Sequence, residues 1–290
     1  MSGGSGLHSG ATGLRGPVHG AARMRAVGPS LGVRPGGAGS PPGDPFTLAM
    51  QRMERHVSYE GQKVLVIGAS SGIGRAAAQA FAQAGGRVTA ASRGGAKLEA
   101  AAAEIGASPV ALNILDEGAV EQFFAQAEAF DHVVISAAAT RTGSVADLPL
   151  NDAYAAMDSK FWGAYRVARA VKINTGGSLT FVSGFLAHRP NPASVLQGAI
   201  NAALEALARG LALERAPVRV NVVSPGLIDT PLHDRMPPEV RKGVFEGAAA
   251  RLPVRRIGQA EDVARAILFV AGNPFTTGSV VTVDGGGTIA

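Results

Sequence analysis

Short runs of β-branched and apolar residues alternate with alanine-rich helical patterns from Lys63 to the end of the chain. We predict seven strands, at Lys63–Ile67, Arg87–Ala91, Pro109–Asn113, His132–Ile135, Ser178–Ser183, Val218–Val223 and Ser279–Val283. Their nearly continuous apolar character is typical of strands buried on both faces of a parallel sheet. The clearest helix runs from about 192 to 216, where leucine and isoleucine recur on one face. This alternation predicts a single doubly wound α/β domain.

The composition excludes several classes of protein. Of the 290 residues 46% are apolar and 17% are charged, which excludes a wholly disordered chain. No run approaches eighteen apolar residues, so we expect no membrane-spanning helix. The absence of cysteine excludes disulfides, thiolate metal sites and thiol nucleophiles, and no other pattern suggests a metal site. We therefore expect a cytoplasmic protein.

The net charge of +5 is unevenly distributed. Residues 1–49 hold four arginines against one acid, Asp44, so residues 50–290 carry only +2. A body of that size with so little charge has no electrostatic preference for nucleic acid. Aromatic residues make up only 5% of the chain, so stacking on single strands is not suggested either. We expect a small-molecule ligand, with neither nucleic acid nor membrane as a partner.

The N-terminal segment differs from the rest of the chain. Glycine, proline and serine supply 24 of residues 1–49, too polar and flexible a composition to form a core. We predict a disordered extension over residues 1–55 and a folded domain over residues 56–290. An alternative is a start site placed too far upstream, since Met50 and Met53 lie just before the first strand. The segment is acid-poor like a transit peptide, but its glycine and proline would prevent the amphipathic helix.

A glycine-rich loop, GASSGIG, joins the first strand to the first helix, which we predict at Arg75–Ala84. The strand–loop–helix–strand context predicts a dinucleotide-binding loop. We expect Gly68 to allow the turn, Gly72 to let a pyrophosphate approach, and Gly74 to let helix and strand pack closely. The free N–H groups of the helix N-terminus would bind the phosphates. The predicted contacts in this loop are Gly68, Ser70, Ser71, Gly72, Ile73 and Gly74.

The end of the second strand indicates which dinucleotide is bound. Sites for NAD usually have an acid here, but the strand ends Ser92-Arg93 and the nearest acid is Glu99. Arg93, helped by Ser92 and by Lys97, can bind a 2′-phosphate through charge-assisted hydrogen bonds. We therefore expect NADP(H) to bind at least about tenfold more tightly than NAD(H). The alternative is a solvated loop arginine.

These motifs identify a family resemblance over residues 60–290. The motifs on which it rests are Gly68-x-x-x-Gly72-x-Gly74, then Arg219–Gly226 with Thr230, and Val283–Gly286. With them the chain resembles the short-chain dehydrogenase/reductase family. The resemblance implies a Rossmann-type, seven-stranded parallel sheet in the order 3-2-1-4-5-6-7. It also implies further cofactor contacts at Asn113, Ile114, Ala137, Ala138, Pro225, Gly226, Ile228 and Thr230.

The catalytic residues of that family are missing from this chain. The family uses a Tyr-x-x-x-Lys pair, a serine thirteen residues before the tyrosine, and an asparagine on the preceding helix. Aligned with these, the serine, tyrosine, lysine and asparagine positions hold Gly184, Gln197, Asn201 and Lys160. Glutamine has no titratable proton near neutrality and cannot replace a phenolic acid. Gln197 and Asn201 nevertheless remain one helical turn apart on one face.

Two of these substitutions are reciprocal, because lysine stands at the asparagine position and asparagine at the lysine position. We hypothesise that the Lys160 ammonium lies near the nicotinamide ribose, with Asn201 as its partner and a lowered pKa. The alternative is an ordinary surface lysine, which is the more frequent role of an isolated helical lysine. His188, after the fifth strand, is another candidate proton donor, although a lone loop histidine is more often solvated.

Together these features predict an NADP(H)-dependent oxidoreductase of the short-chain type, with a proton relay built from Lys160, His188, or a water held by Gln197 and Asn201. The alternative is a non-catalytic dinucleotide-binding protein, a scaffold or sensor that keeps the cofactor site. A lyase or isomerase using the same pocket is a third possibility. The resemblance also implies a homodimer or homotetramer, joined through the helices around 160–172 and 192–216.

Overall fold

The computed structural model describes residues 58–290, which alternate between strands and helices throughout. The predicted N-terminal extension, residues 1–55, lies outside the described residues. The strands are β1 (Lys63–Ile67), β2 (Arg87–Ser92), β3 (Ser108–Ala111), β4 (Phe130–Ile135), β5 (Ile173–Val182), β6 (Arg219–Pro225), β7 (Ile228–Asp229), β8 (Gly258–Gln259) and β9 (Val280–Val283). The helices are α1 (Gly72–Gln83), α2 (Ala96–Ile105), α3 (Glu117–Gln126), α4 (Leu150–Met157), α5 (Gly163–Ala170), α6 (Val195–Glu214), α7 (Pro238–Arg251) and α8 (Ala260–Gly272).

Seven parallel strands form one sheet in the order β3-β2-β1-β4-β5-β6-β9. Because β9 is the seventh strand of this sheet along the chain, the predicted order is confirmed. The short strands β7 and β8, which were not predicted, pair with each other outside the main sheet. The order reverses between β1 and β4, and open α/β sheets bind their ligands beyond the carboxyl ends of the strands at such a point.

Side chains alternate along β1 between the two faces of the sheet, as strand geometry requires. Val64 and Val66 belong to one buried cluster, which includes Phe81 of α1 and Ile267 of α8. Leu65 and Ile67 point the other way, into a second cluster built on α3, α5 and α6. Both faces of the sheet are therefore covered by helices, which explains the nearly continuous apolar strands.

The observed boundaries differ from the predicted ones where polar residues hid the pattern. Strand β5 begins at Ile173, five residues before the predicted start, because Ile173 pairs with Phe130 of β4 ahead of an irregularity in the register. Strand β3 ends at Ala111, so Asn113 lies in the loop that follows. Helix α1 begins at Gly72 rather than Arg75, which places two of the loop glycines inside its first turn.

The helix that carries Lys160 is not a continuous α-helix. A π-helical turn at Asp158–Trp162 separates α4 from α5, and Lys160 lies within it. Single π-helical turns are rare and occur frequently at functional sites. No helix within residues 58–290 is both long enough and apolar enough to cross a membrane.

Candidate active site

The glycine loop brings three parts of the chain into close contact. Gly68 has a φ of +96°, and a Cβ added there would lie 2.7 Å from the backbone nitrogen of Ala137. A Cβ on Gly74 would lie 2.2 Å from the carbonyl oxygen of Gly68. No larger residue fits either position without moving backbone. The predicted reasons for Gly68 and Gly74 are therefore confirmed, with the addition that Gly68 also makes room for the end of β4.

The outer side of this loop forms a cradle for an anion. The first amide to bond within α1 is that of Arg75, which donates to the carbonyl oxygen of Ser71 at 3.2 Å. The N–H groups of the preceding turn have no helical acceptor, and Ser71 caps none of them with its side chain. Gly72 has a φ of +54° and faces Thr230. Free amides at a helix N-terminus beside a glycine suit a pyrophosphate.

The arginine predicted to select the cofactor is exposed at the end of β2. Ser92 accepts a hydrogen bond from the amide of Gly94 at 3.5 Å, which shapes the turn. Arg93 and Lys97 are both exposed, and neither forms an ion pair with any residue from 58 to 290. Within residues 58–290 these two cations therefore have no carboxylate partner, and such cations can form charge-assisted hydrogen bonds with a phosphate.

The loop after β3, which the resemblance predicts to lie beside the adenine, combines one surface residue and one core residue. Asn113 is exposed, and its Oδ1 accepts from the amide of Leu115 at 3.3 Å. The side chain of Ile114 is buried, and its Cδ1 would lie 2.7 Å from a Cβ placed on Gly163 of α5. Asn113 is therefore available to a ligand, whereas the side chain of Ile114 packs in the core.

The loop after β4 is held in place by a residue that the sequence did not reveal. Ala137 packs against Gly68, and Ala138 is exposed. The Oγ of Ser159, in the π-helical turn, donates to the carbonyl oxygen of Ala139 at 2.8 Å and accepts from its amide at 3.2 Å. The buried hydroxyl of Ser159 thus fixes the backbone beside the glycine loop.

The Pro-Gly turn at the end of β6, which the resemblance predicts to contact the nicotinamide, packs closely against the residue that follows β9. The amide of Gly226 donates to Val283, and a Cβ on Gly226 would lie 2.7 Å from the Cα of Asp284. Ile228 is buried in β7, and Thr230 lies against Gly72 of the phosphate cradle. The chain segments that carry the predicted cofactor contacts therefore meet at the carboxyl edge of the sheet. Pro225 is buried there at the end of β6.

Lys160 does not lie on the surface as an ordinary helical lysine would. Its Nζ donates to Asn201 Oδ1 at 2.6 Å and to the carbonyl oxygen of Ser183 at 2.7 Å. These bonds join the π-helical turn to α6 and to the end of β5. The hypothesis that Lys160 and Asn201 are partners matches this geometry. Burial lowers the pKa of Lys160 to about 8.

Gly184, at the family's serine position, fits together with Asn201. A Cβ added to Gly184 would lie 2.7 Å from Asn201 Nδ2. The amide of Asn201 thus fills the space that a side chain at residue 184 would need. With asparagine at 201, therefore, a residue larger than glycine at 184 would clash with its amide.

Gln197, at the family's tyrosine position, is only 7% exposed. Its Nε2 donates to the backbone carbonyl of Arg141. Because a carbonyl only accepts, the amide orientation is fixed, and Oε1 faces the other way. This Oε1 is buried without a hydrogen-bond partner among residues 58–290. Gln197 therefore contributes an acceptor at the position that the sequence analysis aligns with the family's tyrosine.

A buried glutamate that the sequence analysis missed completes the site. Glu205 of α6 is 2% exposed, and its Oε1 accepts from the hydroxyl of Ser183 at 3.1 Å. Its Oε2 lies 2.9 Å from Nε2 of His188. His188 is therefore not a simply solvated loop residue. The spacing of Gln197, Asn201 and Glu205, four residues apart on one helix, was the available signal.

The described residues, 58–290, hold no group of three or more histidine, cysteine, aspartate or glutamate side chains that could bind a metal ion. Lys160, Asn201, Ser183 and Glu205 are instead hydrogen-bonded to one another. What the arrangement offers a ligand is an anion cradle, two free cations, a partly buried ammonium and a half-exposed imidazole.

Comparison with known proteins agrees with the fold and the glycine loop, which define a Rossmann-type domain. Residues 68–288 match the family described as Enoyl-(Acyl carrier protein) reductase. The 3-oxoacyl-acyl-carrier-protein reductase of Thermotoga maritima is 31% identical over 244 residues, covering 78% of this chain and 98% of that protein. The D-erythrulose reductase of Gallus gallus is also 31% identical, covering 81% and 98%. The chain belongs to the short-chain dehydrogenase/reductase family.

Among solved structures, the chain is similar to that of a small-chain dehydrogenase in complex with NADPH. The two share 35% sequence identity and a TM-score of 0.70, over 80% of this chain and all of the other.

Proposed function

We propose that this protein is an NADP(H)-dependent oxidoreductase that interconverts a carbonyl and an alcohol by hydride transfer, with a proton relay that lacks tyrosine. Its family relatives are named reductases, and one similar structure holds NADPH. The observation that carries the proposal is the Lys160 ammonium, partly buried at the carboxyl edge of the sheet and bonded to Asn201 at 2.6 Å. A titratable group in this position keeps the chemistry possible after the loss of tyrosine.

The cofactor would lie along the carboxyl edge of the sheet. The free amides at the start of α1 would hold its pyrophosphate, and Arg93 with Ser92 and Lys97 would hold the 2′-phosphate. Asn113 would face the adenine, while the Pro225-Gly226 turn would contact the nicotinamide end. When bound, the cofactor supplies the hydride, and the protein supplies orientation and a proton.

The proton would come from Lys160. An ammonium has three N–H bonds, and two of them are directed at Ser183 and Asn201, so the third is free for a substrate oxygen. A pKa of about 8 gives a mostly protonated donor at neutral pH that releases its proton readily. Asn201 holds the ammonium in place. His188, or a water bonded to Gln197 and Asn201, is the alternative donor.

The competing function is a non-catalytic protein that binds the dinucleotide as a scaffold or sensor. It is favoured by Gln197, which presents an unpaired acceptor where a reductase of this family needs an acid. The phosphate cradle and Arg93 would serve such a protein equally well. The two functions differ in whether the reduced cofactor is consumed.

The protein would act as a homodimer or homotetramer joined through α5 and α6. Trp162 and Tyr165 are 46% and 42% exposed, and they lie beside each other at the start of α5. An adjacent groove between the two helices is lined by Leu207 and Leu211 of α6. Light scattering after gel filtration would measure the oligomeric state. If these helices form the interface, a Trp162→Glu variant should be monomeric.

The test of function combines cofactor binding with turnover. NADPH binding is measured by the change in its fluorescence, and NADPH oxidation is followed with diacetyl, ethyl acetoacetate and 9,10-phenanthrenequinone. Saturable binding together with oxidation by any of these probes supports the reductase. Tight binding without oxidation by any probe would favour the scaffold, and absence of binding would contradict both.

A further inference from the structure

Glu205 is a carboxylate buried in the middle of α6, and the proposed function gives it no role. It is 2% exposed, although glutamate is almost never buried unless it is paired. An ionised carboxylate loses several kcal/mol of hydration in such a place unless hydrogen bonds replace the water. An apolar side chain would fill this helix position without that penalty.

Both oxygens of Glu205 are used, and both lead to the candidate active site. Oε1 accepts from the hydroxyl of Ser183, whose carbonyl oxygen accepts from Lys160. Oε2 lies 2.9 Å from Nε2 of His188. Glu205 thus connects the residue that holds the ammonium with the histidine in the loop after β5.

The bond to Glu205 determines which nitrogen of His188 is open. A carboxylate only accepts, so Nε2 carries the proton and points toward Glu205. No described residue forms a hydrogen bond with Nδ1, and the side chain of His188 is 48% exposed. The neighbouring Arg189 turns away and donates to the carbonyl oxygen of Gly287. His188 therefore presents a fixed ring with one free nitrogen at the carboxyl edge of the sheet.

We infer that His188 is a substrate-binding residue, with Nδ1 hydrogen-bonded to a polar group of the substrate, and that Glu205 is the residue that positions it. This inference rests on the proposed function. The roles are divided: Lys160 donates the proton, while His188, positioned by Glu205, binds the substrate. A carboxylate behind an imidazole sets the direction of the ring, as it does for histidines that bind metals or act in catalysis.

The experiment is a double-mutant cycle on the full-length protein, with NADPH and whichever of the three carbonyl probes has the highest kcat/KM. We expect His188→Ala and Glu205→Met each to raise KM for the probe about tenfold, with kcat changed less than about threefold. The double variant should show no greater KM than either single variant, because Glu205 acts through His188.

A conservative variant separates positioning from packing. In Glu205→Gln the amide oxygen can still accept from His188, and the amide nitrogen can donate to the Ser183 oxygen. We expect this variant to have a KM near that of the wild type. Glu121→Met, the same change at an exposed position of α3, is the matched control and should alter nothing. If Glu205→Met does not fold, Glu205→Asp replaces it, because the shortened carboxylate should release His188 and raise KM in the same way.

Several results would overturn the inference. Multiplied effects in the double variant would mean that the two residues act separately. An unchanged KM in His188→Ala would remove His188 from the substrate, and a fall in kcat alone would make it a proton donor instead. If the wild type oxidises NADPH but the variants give one of these results, only the inference about His188 and Glu205 fails and the proposed function stands. If the wild type oxidises NADPH with none of the probes, both the proposed reductase function and this inference are contradicted.

Discussion

His132 lies near the amino ends of the parallel strands and His188 beyond their carboxyl ends. The surroundings of His132 are those of a structural residue, whereas those of His188 leave it able to contact a ligand. His132, in β4 at the amino edge, is 6% exposed. Its Nε2 is bonded to Gln62 Oε1 at 2.6 Å and its Nδ1 to Ser178 Oγ at 2.8 Å. Chiefly through burial, its pKa is lowered to about 4. His188, at the carboxyl edge, is half exposed and has only one nitrogen bonded.

The same contrast holds for the residues around the two histidines. At the amino edge Tyr59 donates to the carbonyl oxygen of Leu268, its ring packs against Phe81 and His132, and burial raises its pKa far above the usual value. These groups are neutral, and each has its partners. At the carboxyl edge, Lys160 is cationic, and only two of its three N–H groups have a hydrogen-bond partner among residues 58–290. Polar groups whose hydrogen bonds are all made within the protein stabilise the fold, whereas groups with an unused donor or acceptor can bind a ligand.

The largest effect is expected when the carboxyl edge loses its ammonium. Lys160→Met should lower kcat for NADPH oxidation about 10²–10⁴-fold, because it removes the positioned proton donor. Steady-state kinetics with a carbonyl probe measures this. Lys172→Met is the matched control, since Lys172 is exposed and its side chain donates to the carbonyl oxygens of Ala125 and Ala127 at the end of α3. A kcat within tenfold of the wild type would exclude Lys160 as the donor.

The next effect compares the two ends of β2. Arg93→Asp should weaken NADPH binding tenfold to about a hundredfold and favour NADH, because a charge-assisted contact to the 2′-phosphate becomes a repulsion. Arg87→Asp makes the same change of charge at the amino end of the strand, where Arg87 donates to Gly61. It should leave both affinities unchanged. Fluorescence titrations with NADPH and NADH measure the affinities. If Arg93→Asp still prefers NADPH as the wild type does, Arg93 does not contact the 2′-phosphate.

At the amino edge we expect an effect on stability alone. His132→Phe keeps a ring in contact with Phe81 but leaves Ser178 and Gln62 without their partner. The free energy of unfolding should fall by about 1–3 kcal/mol, with kcat and KM unchanged. Denaturant unfolding and the carbonyl-probe assay measure the two quantities. A lowered kcat in a folded His132→Phe variant would mean that the two edges are coupled.

An effect of similar size is the pH dependence of stability caused by His132. Its pKa is about 4 when folded and near 6.5 when unfolded, so the unfolded chain binds the proton more readily. Stability is therefore lost as the pH falls from 6.5 toward 4, by about 1 kcal/mol per pH unit. The His132→Phe variant should lack this contribution. Equal slopes in both proteins, measured by unfolding between pH 6.5 and 4.5, would show that His132 titrates normally.

Much of the fold could be predicted because its signals are local. The apolar strands, the helical periodicity and the glycines at 68, 72 and 74 act on their own neighbours, and they predict the doubly wound α/β domain and the phosphate-binding loop. The order of the strands was implied by the family resemblance. The pairing of Lys160 with Asn201 could be proposed because the two substitutions are reciprocal. The π-helical turn, the clamp made by Ser159 and the burial of Glu205 could not. They depend on contacts between distant segments, and a lone glutamate in an Ala- and Leu-rich helix usually faces solvent.

The pH dependence of kcat for NADPH oxidation tests the central claim most directly, that Lys160 supplies the proton in place of a tyrosine. The acid form of the donor is the active one in reduction, and its pKa is about 8. The account predicts a kcat that is constant below about pH 7 and falls tenfold per pH unit well above pH 8. A kcat that stays level up to pH 10 would contradict it.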